Sequence, residues 1–172
     1  MNRKYYLGEI WLPIKGYEGL YEVSNYGRIR SLNYKKRGEV RVLRTTAMKG
    51  YYIKVGLRKG DKIRYFRVHR LVAIAFLPEP QSGQTQVEHI DCEKHHNYVN
   101  CKVVSGQIIV ISEGTNLRWT HPKGNMANPL TRYHLSISHL NPSAETRARM
   151  SAGQRRRFAR ERATHTGKYA FL

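Results

Sequence analysis

The chain has 172 residues, with 31 Lys and Arg against 12 Asp and Glu, a formal net charge of +19 and a pI near 10.3. This balance is the electrostatic footprint of a protein with a polyanionic partner, nucleic acid first. No apolar run reaches the roughly 18 residues of a membrane helix and Met1–Tyr6 lacks an apolar stretch, so neither a membrane span nor a secretory leader is expected and the expected compartment is a cytoplasm.

Residues 9–32 read as short strands with tight turns. Leu20–Ser24 alternates apolar and polar, Asn25-Tyr26-Gly27 is a turn signal, and Arg28–Leu32 returns with basic residues on one face. Residues 33–41, holding Lys35, Lys36, Arg37 and Gly38, read as an exposed basic loop. Residues 51–57 and 62–68 predict a hairpin turning at Lys59-Gly60-Asp61. His69–Leu77 predicts a short apolar helix stopped by Pro78 and Pro80. A polar linker over 78–86 then leads into a strand ending at Glu88-His89, an irregular loop, a hairpin over 103–111 turning at Ser105-Gly106-Gln107, a further strand, and a helix. In the tail, Asn141-Pro142-Ser143 signals a helix start with Ser143 as N-cap and Glu145 in the first turn; Arg147, Arg149, Arg155, Arg156 and Arg157 follow.

The charge is unevenly placed. Residues 1–80 carry 18 Lys/Arg and 6 Asp/Glu, residues 81–130 carry 4 of each, and residues 131–172 carry 9 and 2. A neutral segment is thus flanked by two basic arms, the pattern expected of a cutting centre between phosphate-binding flanks. Within the neutral segment Glu88 stands beside His89, and Asn116 is followed nine positions on by Asn125. Glu88 and Asn125 offer hard oxygen ligands to a Mg²⁺-like ion, and His89 can take a proton from an attacking water. Neighbours on a strand face opposite ways, so Glu88 and His89 converge on one phosphate only at an irregular strand end. His95 and His96 read as solvated loop residues, His69 as structural, Asp91 as a loop cap, Phe76 and Trp119 as core, and Cys92 and Cys101 as free thiols, with no C-x₂-C pair for a zinc knuckle.

The chain resembles HNH homing endonucleases of the phage and group I intron type. Four segments carry the resemblance in the family's order. Trp11 with Ile14–Gly19, Tyr21–Asn25 and Gly27-Arg28 is similar to a nuclease-associated DNA-binding motif. Val68–Ala73 with Phe76 is similar to the helix leading into the nuclease module. Glu88–Asp91 with Asn116–Thr120 and Asn125 resembles the catalytic core, and Ser143–Arg147 with Met150-Ser151 a small helical DNA-contact motif.

The resemblance implies an α+β fold: an N-terminal small antiparallel β-sheet module for DNA binding (1–67), a central ββα-metal (HNH) finger (68–130) with an inserted hairpin near 101–114, and a C-terminal basic helical tail (131–172). It implies His89 as general base, Glu88 in the place of the family's usual Asp as a metal ligand, Asn125 as the second ligand, and Asn116 orienting the histidine or bracing the loop. The family's spacing brings Asn97 or Asn100 closer to the Asn116 position, whereas the intact Asn116-Leu117-Arg118-Trp119 favours Asn116. Asp91-Cys92-Glu93 replaces the family's usual Asp-Gly. Arg118 is a candidate contact to the scissile phosphate, and Arg28, Arg30, Lys54, Arg64, Arg147, Arg155, Arg156 and Arg157 are candidate DNA contacts.

The function expected is therefore that of a homing-type endonuclease acting as a monomer on double-stranded DNA. It would use one Mg²⁺ or Mn²⁺ per site and no small-molecule cofactor, nick its target, and work in a bacterial host cytoplasm if phage-encoded. The competing readings are a non-catalytic DNA-binding protein with the same fold and a basic RNA-binding protein.

Overall fold

The computed structural model describes residues 8–46, 51–133 and, in the tail, positions 144, 145, 147–149, 151, 152 and 156; the side chains of 125 and 126 lie outside the described set. The chain divides into two units, Met1–Leu130 and Thr131–Leu172.

In the first unit, β1 (Trp11–Pro13), β2 (Tyr21–Ser24), β3 (Ile29–Tyr34) and β4 (Glu39–Val42) form an antiparallel sheet in that order. Alternation puts Val23 and Ile29 fully inside while Arg30 and Glu22 pair across the strands on the other face. The segment expected to be a basic loop, 33–41, instead contains the end of β3, a turn with Lys35, Lys36 and Gly38 at positive φ, and most of β4. Every residue of β4 is exposed, so no buried face imprints an alternation that sequence could reveal. Charged residues on such an outer strand are what an unpaired sheet edge tolerates.

The next pair, β5 (Lys54–Lys59) and β6 (Lys62–Arg67), forms the expected hairpin, with Gly60 at φ +59° in its two-residue turn. Val55 and Leu57 are buried, Tyr17 meets Phe66 edge-on at 5.6 Å, and the Arg58 amide donates to the Tyr21 hydroxyl, docking the hairpin on the first sheet. The helix α1 (Val68–Phe76) follows directly and buries Val68, His69, Leu71, Val72, Ala73 and Phe76; Pro78 lies just beyond its end.

After the linker, β7 (Gln86–His89) pairs antiparallel with the distant β10 (Leu117–Thr120), placing His89 opposite Leu117 and Glu88 opposite Arg118. Between them β8 (Cys101–Val104) and β9 (Gln107–Val110) form a separate hairpin, closed by Ser105 and Gly106, both at positive φ. The helix α2 (Pro122–Ala127) follows β10, with proline in its first turn where its missing N–H costs nothing. Ile14, Val23, Ile29, Val55, Leu57, Val68, Val72, Val87 and Leu117 belong to one buried apolar cluster, so the first sheet, the hairpin, α1 and the β7–β10 pair share a core. Fully burying a Val- or Leu-sized side chain is worth about 1.5–3 kcal/mol. Among the described residues no helix is long and apolar enough to cross a membrane.

In the second unit, the described positions between 144 and 156 are helical, and Arg147, Arg149 and Arg156 are exposed. The expected N-cap Ser143 and the expected DNA contacts Arg155 and Arg157 lie outside the described residues.

Candidate active site

Glu88 and His89 end β7, and both are buried, at 3% and 6% exposure. Burying a carboxylate and an imidazole side by side is costly unless each is satisfied. Strand alternation sends them to different partners.

Glu88 accepts from Arg118 Nε at 2.8 Å, across the β7–β10 register, and from the Asn128 amide nitrogen. The Asn128 nitrogen also approaches the Ile90 carbonyl at 3.4 Å, while Asn128 Oδ1 accepts from the Leu130 amide at 2.9 Å. Arg118, expected at a phosphate, thus neutralises Glu88 while its side chain stays half exposed. The expected second ligand, Asn125, lies in α2 with its side chain outside the described residues. Asn128, just past that helix and buried at 5%, was missed in the sequence. The one signal for it was its place before Pro129, which favours an extended residue at a helix end.

His89 faces the other way. Its Nε2 lies 2.8 Å from Asn97 Oδ1, and its ring is stacked near Tyr52 at 5.9 Å and met edge-on by His69 at 5.1 Å. Burial pushes the His89 pKa down, against an upward pull from the Asn97 hydrogen bond and the charges of Asp91 and Glu93. Burial first, then the neighbouring His89, Arg67 and Arg70, lowers His69 to about 3. Both rings are therefore neutral at neutral pH.

Asn97, not Asn116, touches His89. Asn116 instead holds the loop after it: Oδ1 accepts from the Asp91 amide at 3.1 Å, and Nδ2 donates to Asp91 Oδ1 at 2.9 Å and to the His96 carbonyl at 2.8 Å. This is the bracing half of the role expected for Asn116. Asp91 also accepts from the Glu93 amide at 2.8 Å and pairs with His96 at 2.6 Å, capping its own loop. Cys92, where the family's pattern has Gly, takes φ +61°, so the tight turn survives the substitution. His95 and His96 are exposed, as expected of loop residues.

Asn97 is in turn fixed from the N-terminal sheet. The Val99 amide donates to the Asn25 carbonyl at 2.8 Å, and Asn25 Nδ2 donates back to the Val99 carbonyl at 3.2 Å. Gly27, two residues on, lies flat against Asn97. The turn signal Asn25-Tyr26-Gly27 is therefore also the support beneath the histidine.

The expected N-terminal DNA contacts divide. Arg28 pairs with Glu9, Arg30 pairs with Glu22, and both guanidiniums lie over Trp11, at 5.4 and 4.4 Å from its ring centre. Lys54 and Arg64 are exposed but point to opposite faces of the hairpin, Lys54 sharing its face with Tyr65 and Arg67.

Among the described residues no cluster of three or more His, Cys, Asp and Glu gathers as a metal cage. The oxygens gathered at Asn128 Nδ2 are the Glu88 carboxylate and the Ile90 carbonyl, while the Asn128 amide oxygen is taken by the Leu130 amide. One carboxylate with one neutral carbonyl suits a hard cation of the Mg²⁺ kind that keeps most of its water.

A buried carboxylate and a neutral histidine thus stand at one strand end of a strand–strand–helix module. The NUMOD4 motif matches residues 9–69. Over 128 residues the chain is 38% identical to the DNA endonuclease I-HmuI of Bacillus phage SP01, a match covering 74% of this chain and 62% of that protein. It is 33% identical over 111 residues to the uncharacterised HNH endonuclease L245 of Acanthamoeba polyphaga mimivirus, covering 64% of this chain and 27% of that one. Its fold is similar to a solved structure on DNA binding and cleavage by the HNH homing endonuclease I-HmuI, with a TM-score of 0.54 and 35% identity, over 76% of this chain and 66% of that chain. The chain is thus similar to HNH homing endonucleases in both sequence and fold. It spans just under two thirds of I-HmuI and about a quarter of the mimivirus protein.

Proposed function

We propose that this chain is a metal-dependent, site-recognising DNA endonuclease of homing type that hydrolyses a phosphodiester with His89 as general base. The observation that carries the reading is a buried neutral imidazole, held at Nε2 by Asn97, next to a buried carboxylate in a chain of net charge +19. An oxygen acceptor at Nε2 selects the tautomer protonated there and leaves the Nδ1 lone pair to take the proton of an attacking water. Asn97 sets the ring's orientation, and Asn116 holds the loop that follows. Glu88 with Asn125 would hold one Mg²⁺ or Mn²⁺, and Asn128 orients the Glu88 carboxylate. Such an ion, when bound, supplies Lewis-acid stabilisation of the charge on the phosphate and the departing oxygen. Arg118, which tethers Glu88 and stays half exposed, would turn its remaining donors to the substrate phosphate.

In this reading residues 1–67 form the DNA-binding module, 68–130 the nuclease module and 131–172 a basic DNA-contact tail. A monomer with one site cuts one strand. The protein works in the cytoplasm of the cell that holds its target.

The test is a supercoiled plasmid carrying the DNA that flanks the gene. The full chain should convert it to nicked circles with Mg²⁺ or Mn²⁺, should not do so with EDTA, and should lose the activity on His89→Ala. Tight binding without any cleavage would favour the alternative, a non-catalytic DNA-binding protein that keeps the HNH fold.

A further inference from the structure

A cleft of about 410 Å³ opens beside His89, lined by Tyr52, Arg67, His69, Arg70, Gln86 and Val87 among others. We propose that it seats a phosphodiester of the DNA strand next to the one hydrolysed, an inference that rests on the nuclease reading above.

Its position comes first. Tyr52 and His69, which line the cleft, are the two rings packed around His89. A strand whose scissile phosphate reached His89 would lay a neighbouring phosphate across them.

Its charge comes second. The lining holds two guanidiniums and no carboxylate. Arg28, Arg30 and Arg118 are each tied to a glutamate, whereas among the described residues Arg67 and Arg70 make no ion pair. They are nonetheless held in place. Arg67 lies over Tyr52 at 5.0 Å; Arg70 lies over Trp119 at 5.8 Å and donates to the Thr85 carbonyl at 3.1 Å. Stacked guanidiniums with donors to spare are suited to the planar edges of a phosphate. Lys94 reaches the same Tyr52 ring, at 5.5 Å, and Lys54 shares Arg67's face of the hairpin.

The backbone adds to this. Arg67 is the N-cap residue of α1; the Val68 amide donates to the Ile53 carbonyl at 2.9 Å, but no side chain caps that end and its first turn holds no acidic residue, so no protein carboxylate offsets the positive end of the helix there. His69, which also lines the cleft, is buried, and its Nδ1 has no hydrogen-bond partner among the described residues.

The test uses the full chain and a duplex carrying its cleavage site, with each phosphate in turn replaced by an uncharged methylphosphonate. Neutralising one flanking phosphate should slow wild-type cleavage on the order of tenfold or more, the scale of a lost charge-assisted contact. In Arg67→Gln with Arg70→Gln the same replacement should cause no further loss, and Arg67→Lys with Arg70→Lys should recover part of the sensitivity. Arg67→Gln alone guards against misfolding, because that side chain is exposed. If the losses from the variants and from the neutral phosphate multiply independently, or if the variants cut as fast as wild type, there is no phosphate seat here. If the wild-type chain cuts no DNA at all, the nuclease reading and the seat fall together.

Discussion

Gly27→Ala should disturb both the fold and the candidate base, although it lies 62 positions before His89. Gly27 sits at φ +76°, and a β-carbon there would meet Asn97 Cβ and the Asn97 carbonyl oxygen at 2.8 Å and Val68 Cγ1 at 3.4 Å. The left-handed backbone costs an alanine about 1–2 kcal/mol, and forcing one carbon into packed surroundings costs about 1–3 kcal/mol more. Alanine's smaller entropy in the unfolded chain offsets about 0.4–1 kcal/mol. A net loss of about 1–4.5 kcal/mol follows. Gly60→Ala is the control: its φ is +59°, but no atom lies within 4 Å of the added carbon, so only the backbone cost of about 1 kcal/mol remains. Urea unfolding of the two variants measures the difference. Cleavage by the folded protein measures the consequence, since Asn97 can escape the new carbon only by moving its oxygen relative to His89 Nε2. Gly27→Ala should cut more slowly per folded molecule and Gly60→Ala at the wild-type rate. Equal unfolding midpoints would show that the contact yields freely, and equal cleavage rates would show that Asn97 does not position the base.

Other outcomes follow from the same geometry. His89→Ala should lower cleavage by about 10²–10⁴-fold, the usual range for a lost general base, with DNA affinity retained in a binding assay. Glu88→Gln should raise the Mg²⁺ or Mn²⁺ concentration needed for half-maximal cleavage; a metal titration overlaying the wild type would remove Glu88 as a ligand. His69 has a pKa near 3 in the folded chain against an ordinary 6.5. Between those values only the unfolded chain takes up the proton, so stability should fall on acidification by up to about 1.4 kcal/mol per pH unit and level off below about pH 3. His69→Gln should remove that component from urea midpoints measured between pH 7 and 4. Deleting residues 141–172 should weaken binding to every DNA sequence without moving the cut, and flatten the salt dependence by about 0.9 in log K against log salt per lost phosphate contact.

Much of the local structure was legible because its signals act within a few residues. The hairpin at 54–67 was marked by two strand-like runs around a glycine turn, α1 by its apolar run and the prolines beyond it, and the 101–110 hairpin by β-branched residues on both sides of Ser105-Gly106. The strand Glu39–Val42 was not legible, because a strand with no buried face has no alternation to read. The site was legible as a set of residue types. Its pairings were not: Asn97 and Asn116 were both open candidates for the partner of His89, since spacing along the chain does not say which amide points at the ring.

The sequence by itself determined the basic charge, the neutral segment between two basic arms, the strand, turn and helix signals, and the presence of Glu88, His89 and the asparagines. The tertiary structure decided what those groups touch. Pairing β7 with β10 across the inserted hairpin brought Arg118 onto Glu88, and the chain after α2 carried Asn128 to the same carboxylate from 40 positions away. The same folding tied Arg28 and Arg30 to Glu9 and Glu22 while leaving Arg67 and Arg70 without ion pairs among the described residues. Periodicity and turn chemistry are local and can be read from a few neighbouring residues. Which buried carboxylate meets which arginine is settled only when distant strands close on one core and every buried polar group must find a partner.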